Sequence, residues 1–227
     1  ASIFSGARKI STNLPRIIED EAEKKNYTVI FGSSDESAEK SWKLINVFLD
    51  RQVDGLIISA VEESDDQIRY LADNDIPFVL VDRYFPDIKA SHVAIDNYKA
   101  AYRGVKHLIE NGRKRIGIIG YDTTLMHLQE RTRGYSAALK EHKIMQKKGW
   151  LKKIGIREAP KSKVEQAIDE LLSMREPVDA ILFASTTFSS YGLKYLNSLS
   201  ISIPRDLAIV SFDESDAADI FYSPLTY

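Results

Sequence analysis

Apolar runs that end in a small or charged polar residue occur at four places in this chain, and they fall into two matching pairs. Val53–Ala60 reads VDGLIISA and Val178–Ser185 reads VDAILFAS, each preceded by an amphipathic helical pattern. Ile76-Pro77-Phe78-Val79-Leu80-Val81-Asp82 is echoed by Ile203-Pro204 followed by Leu207–Asp213. Short, nearly unbroken apolar strands separated by helices predict parallel sheets buried on both faces. The repeat therefore predicts two similar α/β lobes. Ligands in such folds sit beyond the carboxyl ends of the strands, so two facing lobes would form a cleft there.

The intervening segments carry helical spacing. Leu14 to Lys25 places Ile17, Ile18 and Ala22 on one stripe, and Tyr27 to Phe31 reads as the strand that follows. Ser33 to Ser37 is polar and reads as a solvated loop with a helix cap, since it lacks the glycines of a phosphate cradle. Trp42, Ile45, Phe48 and Leu49 form a core stripe. The clearest helix is Asp96 to Gly112: Asp96-Asn97 caps it, Ala101, Val105, Leu108 and Ile109 make its apolar face, and Asn111-Gly112 stops it. Arg113-Lys114-Arg115 then reads as a solvated crossing between lobes, followed by a strand over Ile116–Gly120. Helices from about Glu130 to His142 and Lys163 to Met174, with strands at Ile154–Ile156, Ala180–Ala184 and Leu207–Phe212, complete the second lobe. The expected division is a first lobe over 1–112 and a second over 113–223, with 224–227 beginning a return crossing. Both ends of the natural protein are expected to lie outside this sequence, because Ala1-Ser2-Ile3-Phe4 reads as the tail of a first strand and Pro224–Tyr227 stops inside an element.

Composition narrows the function more than the fold. The 227 residues suffice for two lobes of roughly 110 residues each. With 31 Lys plus Arg against 33 Asp plus Glu, the net charge of −2 gives no global attraction to nucleic acid. The absence of cysteine excludes disulfides and thiolate metal sites and leans toward the cytoplasm. No run approaches the ~20 apolar residues that span a bilayer, so no membrane partner is expected.

Catalytic and cofactor signatures are missing. His92, His107, His127 and His142 lie too far apart for a metal motif. Ile116–Gly120 is not a dinucleotide fingerprint, and neither a P-loop nor a nucleophile elbow occurs. No cofactor, metal or catalytic residue is therefore expected. What remains is a set of polar groups after apolar strands: Asp82-Arg83-Tyr84, Tyr121-Asp122-Thr123, Ser185-Thr186-Thr187 and Asp213-Glu214-Ser215, with Arg131 opening the helix after one of those loops. Carboxylates accept from adjacent hydroxyls and arginine donates as a fork, a combination suited to a polyol or sugar. Helix caps or an ion pair between lobes would use the same residue types. Arg131, Asp213, Thr186, Tyr121, Asp82 and Arg83 are the candidate binding residues.

Several motifs in order carry a resemblance: Asp54-Gly55-Leu56-Ile57-Ile58, Ile76-Pro77-Phe78-Val79, Asp96-Asn97, His107-Leu108 with Gly112, Arg115-Ile116, Arg131-Thr132-Arg133-Gly134-Tyr135, Ile203–Val210 and Ser223-Pro224-Leu225-Thr226. Together the chain resembles the regulatory domain of the lactose-repressor family of bacterial transcription factors. The resemblance implies a periplasmic-binding-protein-like α/β fold of two Rossmann-like lobes, a homodimer, and a sugar or sugar-derived effector held between the lobes. It also places Arg131 and Asp213 at effector-contacting positions, and puts the helix-turn-helix that reads operator DNA before Ala1. The chain departs from the family where an Asn-Asp pair becomes Thr186-Thr187 and where an early Asn-Pro-Phe-Phe-like segment becomes Arg8-Lys9-Ile10-Ser11. The added positive charge makes a phosphorylated or acidic sugar a second candidate. The rival reading of the same architecture is an exported sugar-binding protein of a transport system.

Overall fold

The computed structural model describes residues 2–4, 14–156, 158, 160–213 and 221–227. Arg8-Lys9-Ile10-Ser11, Glu214 and Ser215 lie outside the described residues. The chain divides into two compact units, one formed by Ala1–Ile95 with Leu125–His127, the other by Asp96–Thr124 with Leu128–Tyr227.

In the first unit, β1 (Ser2–Phe4), α1 (Leu14–Glu23), β2 (Phe31–Ser33), α2 (Ala38–Asp50), β3 (Leu56–Ile58), α3 (Asp65–Asp73), β4 (Phe78–Val81) and β5 (His92–Val93) follow one another. The strands form one sheet in the order β2-β1-β3-β4-β5, and every pairing is parallel. Ser37 caps α2 by accepting a hydrogen bond from the Lys40 N–H, as the polar loop predicts. Ile45 and Phe48 of α2 and Ile68 and Leu71 of α3 join Leu56, Ile58 and Leu80 in the core of this unit. Each such side chain contributes about 1.5–3 kcal/mol when fully buried. The strand expected over Tyr27–Phe31 begins only at Phe31. Tyr27 and Ile30 are exposed, so no buried face holds that segment in register.

The second unit contains α4 (Asn97–Glu110), β6 (Ile116–Asp122), α5 (Met126–Glu141, beyond its first two residues), β7 (Leu151–Gly155), α6 (Pro160–Leu172), β8 (Ala180–Phe183), α7 (Thr186–Leu196) and β9 (Ala208–Ser211). Its sheet order β7-β6-β8-β9 repeats that of the first unit, again all parallel. Thr226 bridges Val210 in parallel, and the Ser211 N–H donates to the Thr226 carbonyl at 2.9 Å. The tail thus occupies the fifth strand position, where a return crossing was expected. Pro204 follows a cis peptide bond.

The helix α4 carries the expected cap, with Asp96 accepting from the Lys99 N–H at 2.8 Å, and the expected left-handed stop at Gly112 (φ 83°). Its placement differs from the sequence-based division at Gly112. Ala101, Val105 and Leu108 belong to the core that also contains Ile116, Ile118, Leu182 and Val210, so α4 covers the second sheet. The backbones of α4 and α5 also approach closely. A Cβ on Gly134 would stand 3.0 Å from the Tyr102 backbone nitrogen and closer still to the Tyr98 carbonyl oxygen, so glycine is needed there. Arg113 and Arg115 lie within the second unit rather than at a crossing between units. Arg113 donates to the carbonyls of Pro204 (2.6 Å) and Arg205 (3.2 Å), and Arg115 donates to the Pro177 carbonyl (2.6 Å) and pairs with Asp179. These contacts tie the start of β6 to the loops before β8 and β9.

Candidate functional site at the carboxyl edges of the sheets

The strand order fixes where ligand-binding groups gather. In the second unit the chain runs from β6 outward to β7, then back past β6 to β8 and β9, so its topological switch point lies between β6 and β8. Tyr121 lies near the carboxyl end of β6, and Ala184-Ser185-Thr186 follows β8. Arg131 reaches this point from α5. Although 95% buried, it is held on several sides: Nε donates to Asn97 Oδ1 at 2.8 Å, Nη1 donates to the Ala184 carbonyl at 2.8 Å, and the guanidinium lies 3.5 Å above the centroid of the Phe212 ring. A buried cation is tolerated where charge-assisted hydrogen bonds and an aromatic face replace water. These contacts fix the plane of the guanidinium.

On the same edge, Tyr121 packs on Phe188 with ring centroids 4.2 Å apart. Ser185 caps α7 by accepting from the Phe188 N–H at 3.2 Å, which leaves Thr186 as the first, half-buried residue of that helix. Asp213, exposed, follows β9 in the left-handed conformation at φ 67°, and its carbonyl accepts from the Ser211 hydroxyl at 3.1 Å. Arg131, Tyr121, Thr186 and Asp213 thus all occupy the carboxyl edge of the second sheet.

Asp82 and Arg83 occupy the corresponding edge of the first sheet. Asp82 follows β4 at φ 66°, the counterpart of Asp213 after β9. Arg83 is engaged within its own unit: Nη1 and Nη2 donate to Glu36 Oε2 and Oε1 at 2.7 and 2.9 Å, and Nη1 also donates to the Ala60 carbonyl at 3.1 Å. The sequence reading did not single out Glu36, Asn97 or Phe212 as parts of the site. Asn97 was visible as half of Asp96-Asn97 and Phe212 as the neighbour of Asp213, but nothing local links Glu36 to Arg83. Among the described residues no group of acidic or histidine side chains is arranged to hold a metal ion, and no helix is long and apolar enough to cross a membrane.

Two parallel sheets of one strand order, each with polar groups at its carboxyl edge, define a doubly wound α/β protein. Residues 105–227 match the family described as periplasmic binding protein-like domain. A probable HTH-type transcriptional regulator EndR of Paenibacillus polymyxa is 31% identical over 96% of this chain, and the HTH-type transcriptional repressor CytR of Escherichia coli is 27% identical over 93% of it. The chain spans 64% and 61% of those two relatives, less than two thirds of their length. The solved structure of the transcription regulator CcpA of Lactococcus lactis superposes with a TM-score of 0.84 at 25% identity, covering 99% of this chain and 83% of that one. The chain belongs to the periplasmic-binding-protein-like domains of the lactose-repressor family. The fold and family expected from the sequence are both borne out, and the two relatives named above are regulators of transcription.

Proposed function

We propose that this chain is the effector-sensing part of a bacterial transcription regulator that works in the cytoplasm. Its effector is a hydroxyl-rich small molecule, a sugar or a metabolite derived from one. The observation that carries this reading is the preset guanidinium of Arg131 at the β6/β8 switch point, with the Asp213 carboxylate at the same edge. A fixed guanidinium donor and a carboxylate acceptor on one sheet edge match the alternating donors and acceptors of a polyol. Tyr121 and Thr186 add an aromatic face and a hydroxyl.

The relatives named as HTH-type regulators support the rest of the proposal. In the whole protein, effector binding would favour one conformation of this domain, and a homodimer would pass that bias to DNA-binding heads on the amino-terminal side. Operator contact belongs to those heads, since this chain has a net charge of −2. A thermal-shift screen of the chain over sugars and sugar phosphates tests the reading. A saturable stabilisation by one compound class that disappears in Arg131→Ala supports it. An equal shift in the variant removes Arg131 from the site.

A further inference from the structure

The two arginines at the carboxyl edges are held in different ways, and the difference bears on which effectors the first unit admits. Arg83 presents the bidentate face of its guanidinium to a carboxylate of its own chain, Glu36. That planar two-bond arrangement is also how an arginine takes the carboxylate or phosphate of a ligand. Glu36 comes from the loop after β2, and both it and Asp35 adopt left-handed backbone, with φ of 56° and 49°. Such a conformation is unfavourable for a residue other than glycine, so the loop turns sharply to deliver this carboxylate. The Arg83 side chain is 15% exposed and the Glu36 side chain 33%. Arg83 Nε is buried without a hydrogen-bond partner, 3.9 Å from Asp82 Oδ2.

We propose that Glu36 is an internal stand-in for an anionic ligand: it occupies the anion-binding face of Arg83 and so selects against acidic and phosphorylated effectors at the first unit's edge. Arg83 is then a specificity-determining residue by being masked, and Asp82 remains as the acceptor for hydroxyl groups. The idea deepens the proposed function by narrowing the effector class to uncharged polyols. It stands or falls separately, because its probe is not the effector.

The test uses inorganic phosphate at low ionic strength, titrated calorimetrically into the chain, into Glu36→Gln and into the double variant Glu36→Gln/Arg83→Gln, with circular dichroism confirming the fold of each. The expected result is phosphate affinity about tenfold higher in Glu36→Gln than in the parent, the order of one gained charge-assisted hydrogen bond, and a return to the parent level in the double variant. Glu36→Ala repeats the experiment should the glutamine variant fold poorly. Phosphate affinity in both single variants equal to that of the parent overturns the proposal, as does a gain that persists when Arg83 is also replaced.

Discussion

The two units repeat one topology, yet they treat the carboxyl edge differently. Both sheets follow the same order, and both end the strand before the last position with an aspartate in left-handed backbone, Asp82 after β4 and Asp213 after β9. In the first unit the nearby arginine is closed off by a carboxylate in the loop after β2. In the second, Arg131 arrives from a helix and is braced by a side-chain amide, a main-chain carbonyl and an aromatic ring. The cores differ as well. Among the described residues, Trp150, Tyr135, Phe183 and Phe188 are fully buried in the second unit, whereas the fully buried large side chains of the first are aliphatic. A duplicated framework thus leaves the edge residues free to diverge, because strand order depends on apolar runs and the edge does not.

The chain has two tryptophans, and they fall one in each unit: Trp42 half-buried against Tyr70, and Trp150 in the core of the second. Replacing either by phenylalanine leaves a fluorophore that reports on a single unit. The largest effect is expected at Gly134, where an added methyl meets the backbone of α4. Gly134→Ala should destabilise the second unit by about 3 kcal/mol, the upper part of the usual range for overpacking, seen as an earlier urea transition of Trp150. A Trp42 transition that moves equally would mean that the two units unfold as one.

Next in size, Arg131→Ala should weaken effector binding by about 1.5–3 kcal/mol per charged hydrogen bond lost. Arg131→Lys should not restore it, since an ammonium cannot reproduce the fork. Calorimetry on both variants checks this, and full recovery by lysine would show that charge alone is needed. Arg83→Ala should cost the first unit only about 1 kcal/mol, because the pair with Glu36 is partly solvated. The Trp42 transition reads that loss.

How much of this was legible in the sequence follows from the physics of each element. The apolar runs at β3, β4, β8 and β9 were visible because strands covered on both faces must be apolar throughout. β5 was not, since His92 and Val93 are both exposed. The ends of α4 were visible in its caps, but its unit was not: an apolar stripe of Ala101, Val105 and Leu108 does not say which sheet it covers. Arg131 stood out through its position after a strand-end loop. Its partner Asn97 and the pairing of Arg83 with Glu36, 47 residues away, arise only from folding.

The smallest effect concerns pH. Burial in the second core holds the Tyr135 phenol well above the ordinary tyrosine range, and its hydroxyl donates to the Ile116 carbonyl at 2.8 Å. The folded state therefore favours the neutral phenol. This stabilisation is complete below about pH 10, the ordinary tyrosine value, and declines as pH rises from there through the higher folded value. Tyr135→Phe should cost about 1 kcal/mol at neutral pH and flatten the alkaline loss of stability, as followed by urea midpoints of the Trp150 signal. An unchanged alkaline slope would assign that loss to other groups.

The most direct test of the central claim, that Arg131 and Asp213 hold a hydroxyl-rich effector at the edge of the second sheet, is calorimetric titration of the stabilising sugar into the parent chain, Arg131→Ala and Asp213→Asn. The account predicts saturable binding to the parent, a loss of on the order of tenfold or more in each variant, and unchanged folding of Asp213→Asn, because asparagine accepts the same left-handed backbone. Affinity equal to the parent in both variants would contradict it.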